Sequence, residues 1–459
     1  MSGPPTAGSE SQASVRPRRG DELELTVESL AFGGAGVARL GGYVVFVHDA
    51  VPGDRVRAVV GVSKRSYAHA RATEILSPSA ERVTPLADHP GVPWQVLPYE
   101  RQLEVKQQLV EDSLRRIGRL GSFELEPAVP AVSQWRYRNK LEYSFGADPD
   151  GRLVCGFHAP GEWDTIVEFD DCLLASERGN AVRARVLAWC REQGLTAFDR
   201  RAGSGLLRNL VVREGSRTGQ LQVRLVTGPG ELDRDSLAAA LGDLDGVLWT
   251  RTDSVAETTS GGETELIAGA ERFEEELGGL RFRISAEAFF QTNTEMAQRL
   301  YGLAAQFAAP NGSQRVYDLY SGIGTIALTL APRVAEVWGL EIVETAVADA
   351  IANARLNEID NVRFFAGDVR LALRELVQRA GRPDTLVVDP PRSGLSQKVV
   401  RRIIEAAPRR IVYVSCNPTT LAPNAAQLVE AGWTLTRVRA VDMFPQTPHI
   451  ECVALLESG

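Results

Sequence analysis

VYDLYSGIGTIAL, residues 316–328, decides the fold. A β-rich run carries the acid Asp318, turns sharply at two glycines, and opens an apolar helical stretch. Gly322 and Gly324 allow a tight turn and close approach of backbone N–H groups to a ligand. A dinucleotide fingerprint places a third small residue three positions later, and Ala327 there satisfies it. The glycines alone therefore do not distinguish a dinucleotide from another nucleoside ligand. Downstream, EVWGLEIV (336–343), VRFFAGD (362–368), DTLVVDPP (384–391) and RIVYVSC (410–416) alternate with helical stretches. That alternation demands a parallel sheet. TLTRVRAVDMF (434–444) and HIECVALLES (449–458) follow as a terminal antiparallel hairpin. The fold class is α/β: a Rossmann-like doubly wound domain over 284–459.

Upstream, five short runs alternate apolar and polar residues between Leu23 and Leu76: LELTVESLA, GGAGVARL, YVVFVHDAV, DRVRAVVGVSK and YAHARATEIL. Five such runs in so short a span predict a small OB-like β-barrel over 20–78. Their order resembles the TRAM module, an RNA-binding barrel. Residues 79–98 read as a Pro-rich connector, and Tyr99 to Arg119 has helical spacing. Residues 126–283 read as a central α+β domain, with KLEYSFGAD, LLRNLVVREG and QLQVRLVTG as strands and a helix around Asn180 to Gln193. Residues 1–19 are Ser/Gly/Pro-rich without an apolar core, which reads as a disordered tail and not a secretory signal. No apolar run approaches the about 18 residues of a membrane span. Five scattered cysteines in 459 residues do not make a disulfide framework, so a reducing compartment, the cytoplasm, is expected. The formal charge of −8 argues against indiscriminate coating of nucleic acid and leaves room for a local basic channel.

Acids at successive strand ends narrow the ligand. Asp318 precedes the glycines, Glu341 ends the second strand and is positioned to accept from ribose hydroxyls, and Asp368 ends the third, where it can accept from an adenine amino group. This acid, Gly-rich loop, acid, acid order resembles the class I S-adenosylmethionine-dependent methyltransferases, with S-adenosyl-L-methionine as the cofactor. The fourth strand ends Asp389-Pro390-Pro391-Arg392 and the fifth Ser415-Cys416-Asn417-Pro418. Ligands bind outside the carboxyl ends of parallel strands, so Asp389 and Cys416 face one crevice. C5 of uracil attacks a methylsulfonium only after a thiolate has added to C6, and a base must then remove the C5 proton. Cys416 is the candidate nucleophile and Glu451, on the returning hairpin, the candidate base.

VDPPRSGL, VSCNP and HIEC, with FFQTN (289–293) and YRNK (137–140) upstream, are similar to the RNA uracil-5-methyltransferase family, which makes 5-methyluridine in transfer and ribosomal RNA. The resemblance implies Cys416 as nucleophile and Glu451 as proton acceptor. It also implies that Gln291, Tyr320, Glu341, Asp368 and Asp389 line the cofactor and uracil pocket, beside Gly322 and Gly324. Thr325 stands where relatives often have Asn. The helix before the central domain is implied to fold onto the catalytic domain. Many relatives carry a [4Fe–4S] cluster, yet TPLADHPGVPW (84–94) has no Cys and only Cys172 matches a ligand position. One thiolate cannot hold such a cluster, so a cluster-free enzyme is expected, with no metal site assigned. Arg136, Arg138, Lys140, Arg200, Arg201, Arg208 and Arg213 are candidate phosphate contacts. Two alternatives stay open: a 5-methylcytosine enzyme, which usually has Pro-Cys where Pro390-Pro391 stands here, and a non-catalytic RNA-binding protein.

Overall fold

A computed structural model describes residues 16–254, 256 and 258–459. The tail expected over 1–19 lies, up to residue 15, outside the described residues. Its end is not a tail: Arg16 donates to the Ser63 hydroxyl at 3.1 Å, and Arg18 N to the Asp21 carboxylate at 2.6 Å. The chain forms two compact units. One comprises the described residues up to Leu86, with Pro93–Val105 and Thr447–His449; the other comprises Ala87–Val92, Lys106–Gln446 and Ile450–Gly459.

The first unit contains a six-stranded sheet ordered Glu22–Thr26, Arg55–Ser63, Tyr67–Ser77, Tyr43–His48, Gly36–Leu40, Ser29–Leu30. The first expected run divides in two, because Val27 leaves the ladder to exchange backbone hydrogen bonds with Gly53 and Asp54. Alternation drives the core: Tyr43, Val45 and Val47 point in, while Val44, Phe46 and His48 stay partly exposed.

In the second unit, seven strands are ordered Ile166–Val167, Leu153–His158, Lys140–Ala147, Leu207–Glu214, Leu221–Thr227, Gly246–Arg251, Glu263–Gly269. Among the described strands of this sheet, the parallel pair Leu221–Thr227 with Gly246–Arg251 is bridged by the helix Arg234–Leu241, as a parallel connection requires. The catalytic sheet has eight strands: β1 (Glu124–Val129), β2 (Arg315–Leu319), β3 (Glu336–Glu341), β4 (Val362–Ala366), β5 (Thr385–Val388), β6 (Arg410–Ser415), β7 (Trp433–Val441) and β8 (Glu451–Ser458). Their order is β4-β3-β2-β5-β6-β8-β7-β1. β4, β3, β2, β5 and β6 pair in parallel, and β8 runs antiparallel between β6 and β7.

Two boundaries expected for the central domain shift. β1 belongs to the catalytic sheet, pairing in parallel with β7, and its Pro127 is tolerable because β1 is the sheet's edge strand. The hairpin Phe273–Leu277/Leu280–Ile284 also belongs there: Phe273, Leu277, Phe282 and Ile284 are buried in the catalytic core. Asn353 and Asn357 hold its second strand by accepting from Arg283 N and Arg281 N, both at 2.8 Å.

The expected helix spans Tyr99–Asp112 and widens into a π-helical turn over Ser113–Ile117. After that turn, a Cβ on Gly118 would stand 2.9 Å from the Ala422 carbonyl, in the helix Pro418–Glu430 behind Cys416. Lys106 Nζ meets Asp442 at 2.6 Å and the Phe444 carbonyl at 3.0 Å, with Lys106 2% and Asp442 1% exposed. Removing one partner of a buried pair strands the other charge. Lys106→Met is expected to cost roughly 3–5 kcal/mol in urea unfolding, and Lys106→Met/Asp442→Leu to recover most of it; a single variant as stable as wild type would show that the pair does not hold this segment.

Candidate active site

The site forms where strand order reverses, because β2 has β3 on one side and β5 on the other. Asp318, near the end of β2, is fully buried; its Oδ2 accepts from Ala327 N at 3.0 Å, drawing in the start of helix Thr325–Leu330. Its Oδ1 and the Ser321 hydroxyl are buried without a partner. Burial, and Asp389 after it, push the Asp318 carboxyl well above the carboxylate range. Tyr320 takes a left-handed backbone with φ of 64°, followed by Gly322 at 52° and Gly324 at 88°. At Gly324 a side chain would also collide with Phe364, at 2.8 Å from a built Cβ.

Phe289, Phe290, Tyr301, Asp318, Tyr320, Ser321, Gly322, Ile323, Thr325, Ile326 and Asp389 line one cavity. It thus joins four of the expected residues: Tyr320, Gly322, Thr325 and Asp389. Gly324, buried, forms the turn behind it. Gln291 is buried nearby in sequence, its backbone carbonyl accepting from Asn139 at 2.9 Å. Glu341 and Asp368 stand outside the lining. Glu341 braces the loop, accepting from Gly322 N at 3.0 Å and Val343 N at 2.9 Å, and its two oxygens keep further lone pairs. Asp368 caps helix Val369–Ala380 and is paired with Arg370. Both acids act on Tyr320, whose hydroxyl is raised by burial and then by Asp368 and Glu341. Tyr301 and the 67%-exposed Phe289 were not singled out from sequence. Tyr301 sits at ordinary helical core spacing, whereas Phe289 opens the FFQTN stretch and could have been found from it.

The two candidate reacting residues are brought together by strand register. Ser415 at the end of β6 is opposite Cys452 in antiparallel β8, so Cys416 and Glu451 emerge side by side. The Ser415 hydroxyl donates to the Asn417 carbonyl at 3.1 Å, and Asn417 donates to the Arg392 carbonyl at 2.9 Å while capping helix Pro418–Glu430. Cys416 is partly exposed and Glu451 only 4%. Burial, then Glu451 and Asp389, push the Cys416 thiol up to about 11, with Arg392 opposing. Glu451 is held well above the carboxylate range by burial and by Asp389. Burial moves Asp389 from 3.8 to about 7. Three acidic groups thus feel one another at the carboxyl edge of the sheet.

Some expected phosphate contacts face inward. Arg208 and Arg213 are 6% and 3% exposed, and Arg213 donates to the carbonyls of Ala286 and Ala288, holding the segment before Phe289. Arg136 pairs with Asp171, and Lys140 with Glu142 at 2.6 Å. Cys172 is buried in an apolar core beside Tyr143. Around it, His89, Tyr143, Phe157 and Phe169 form ring contacts at 4.5–6.4 Å. Cys155 and Cys190 lie in the same core, but among the described residues these thiols are not grouped as metal ligands, which does not fit a four-iron cluster. Among the described residues, no three His, Cys, Asp or Glu are grouped to hold a metal ion, and no helix is long and apolar enough to cross a membrane.

Residues 270–459 match the family described as tRNA (uracil-5-)-methyltransferase, and residues 16–73 match the TRAM domain. A protein of Halalkalibacterium halodurans, named an uncharacterized RNA methyltransferase, is 36% identical over 458 residues, spanning 98% of this chain and 99% of its own. A like-named protein of Bacteroides thetaiotaomicron is 37% identical over 454 residues, spanning 93% and 100%. The solved tRNA (uracil-54, C5)-methyltransferase of Pyrococcus abyssi, in complex with S-adenosyl-L-homocysteine, aligns with a TM-score of 0.78 at 29% identity. That alignment covers 95% of this chain and 100% of the other.

Holding Asp389 protonated has a cost in stability. Between 3.8 and about 7 the unfolded chain releases this proton while the folded chain keeps it. The stability tied to the group is therefore fully present below about pH 4 and lost as pH rises through about 7. Asp389→Asn is expected to raise the melting temperature by a few degrees at pH 8 and hardly at all at about pH 4. Equal shifts at both pH values would show that the carboxyl is not perturbed.

Proposed function

Because the chain belongs to the tRNA (uracil-5-)-methyltransferase family of RNA methyltransferases, we propose that it transfers a methyl group from S-adenosyl-L-methionine to C5 of a uridine in transfer or ribosomal RNA, in the cytoplasm, through a covalent Cys416–C6 adduct and without an iron–sulfur cluster. The observation that carries this reading is the β6/β8 register, which sets Cys416 and Glu451 side by side next to the cavity containing Asp389.

The cavity suits the methyl donor by a test independent of the family. Asp318 Oδ1 and the Ser321 hydroxyl are buried polar atoms short of partners, as expected where a ligand completes the set. Tyr320, Gly322, Gly324 and Thr325 would hold it at the Gly-rich turn, with Glu341, Asp368 and Gln291 around them. When bound, S-adenosyl-L-methionine supplies the methyl group for C5 and a positive sulfonium charge that favours the ionised form of neighbouring acids.

Cys416, partly exposed, gives its proton to solvent and its sulfur adds to C6, so the C5=C6 electron pair moves onto C5 and O4. Once C5 is methylated, the Glu451 carboxylate takes the C5 proton. That electron pair re-forms C5=C6, and the C6–S pair leaves with Cys416 as thiolate. Asp389, next to both, accepts from the base N3–H when ionised. Since the thiol lies near 11 and Asp389 near 7, kcat/KM is expected to rise with pH from 6 to 9.

Substitution separates the roles. Cys416→Ala is expected to abolish methylation, whereas Glu451→Gln loses roughly 10²–10⁴-fold in turnover and accumulates a protein–RNA adduct stable in a denaturing gel. Undiminished label transfer by Cys416→Ala would refute the nucleophile, and label recovered as 5-methylcytidine would support the cytidine alternative. Anaerobically purified protein is expected to contain no stoichiometric iron or sulfide, and chelator treatment to leave activity intact.

A further inference from the structure

Away from the catalytic cleft, the central sheet carries a second cavity of about 300 Å³. Two loops form its mouth. The hairpin loop after strand Leu153–His158 is closed by Ala159 N donating to the Thr165 carbonyl at 2.9 Å, and it presents Trp163. The facing loop is closed by Asp199 N donating to the Ser204 carbonyl at 2.7 Å, and it presents Arg200 and Arg201. Phe145 and Phe198 line the interior.

Trp163 is 52% exposed, an unusual place for so large an apolar ring. The guanidinium of Arg201 lies 5.0 Å from the ring centroid and that of Arg200 at 6.0 Å. An aromatic ring with a free surface beside guanidinium groups is the pairing that stacks a base and neutralises the phosphate next to it. Arg201 also meets Asp164 at 2.6 Å, but both side chains are largely in solvent. Such a pair is weak and yields to a phosphate diester, which the planar guanidinium binds through two N–H groups. The volume is at the small end of ligand pockets and suits one nucleotide.

We propose that this cavity is an auxiliary RNA subsite, in which one unpaired nucleotide of the substrate other than the target uridine stacks its base on Trp163 and sets its phosphate against Arg200 and Arg201. The proposal rests on the reading of the chain as an RNA methyltransferase and adds where the substrate is gripped outside the reacting centre. None of these residues belongs to the catalytic cavity.

The test is equilibrium binding of the full-length protein to unmodified transfer RNA and ribosomal RNA fragments across a salt series, read separately from methylation. Trp163→Ala is expected to weaken binding roughly fivefold to a hundredfold, and Trp163→Phe to restore most of it. Arg200→Ala/Arg201→Ala is expected to flatten the salt dependence, with the log–log slope falling by about 1 to 2. Binding of S-adenosyl-L-methionine at wild-type affinity verifies that each variant is folded. Unchanged RNA affinity in Trp163→Ala, or equal loss in Trp163→Ala and Trp163→Phe, overturns the subsite. So does a cavity that takes a free mononucleotide while RNA affinity ignores it. RNA binding without methylation by the wild type would sink the proposed activity and leave the subsite to be judged on binding alone.

Discussion

The register of one antiparallel strand pair governs this site. Ser415 faces Cys452 across β6 and β8, and the next residue at each strand end is Cys416 or Glu451. A slip of one residue would turn Glu451 to the other face of the sheet and separate it from the thiol. The structure holds that register from both directions. β8 is flanked by β6 and β7, so both edges are paired over its length. The segment after β7 is pinned residue by residue: Asp442 by Lys106, the Met443 carbonyl by Asn293 at 3.0 Å, and the Pro445 carbonyl by Tyr137 at 3.0 Å. Lys106 comes from the helix before the central sheet and Asn293 from the cap of helix Thr294–Ala308. These contacts bring segments more than 300 residues apart to one short stretch of backbone ahead of the proposed base.

Much of this was legible in the sequence, because the carboxyl end of a parallel sheet is written locally. Strand, acid and glycine turn lie within a few residues around Asp318 to Gly324, and the end of β6 lies next to Cys416. Register across chain-distant strands is not local, so the β7/β8 hairpin could be expected but the pairing of Ser415 with Cys452 across β6 and β8 could not. The same limit explains the misplaced boundaries. Glu124–Val129 has a strand pattern that says nothing of which sheet accepts it, and β7 is distant in the chain. The hairpin Phe273–Ile284 alternates apolar and polar residues just as an edge of the central sheet would. Arginine was the least legible type. Arg208 and Arg213 read as candidate phosphate contacts, but their guanidinium groups fill buried carbonyl-lined positions, a use that composition does not distinguish from phosphate binding.

The electrostatics of the site then follow from what surrounds the acids. Asp318, Asp389, Glu451 and the Cys416 thiol are all raised, and burial is the first cause in each. A protein built only for stability would pair such groups with cations or replace them with apolar residues. Here Arg392 is the one cation that opposes the shift at Cys416, beside a backbone hydrogen bond, and Asp318 keeps an oxygen with no hydrogen bond. A cluster of proton-holding acids without a resident counter-cation is complementary to a ligand that brings positive charge and N–H donors. A methylsulfonium beside a uracil N3–H has both. Entry of such a pair would favour the ionised forms, and Asp389 links them, since it raises Asp318, Glu451 and Cys416 alike. In the proposed mechanism, loading the site and arming the Cys416 thiol are then one electrostatic event, because the thiol stays protonated until substrate and donor are in place.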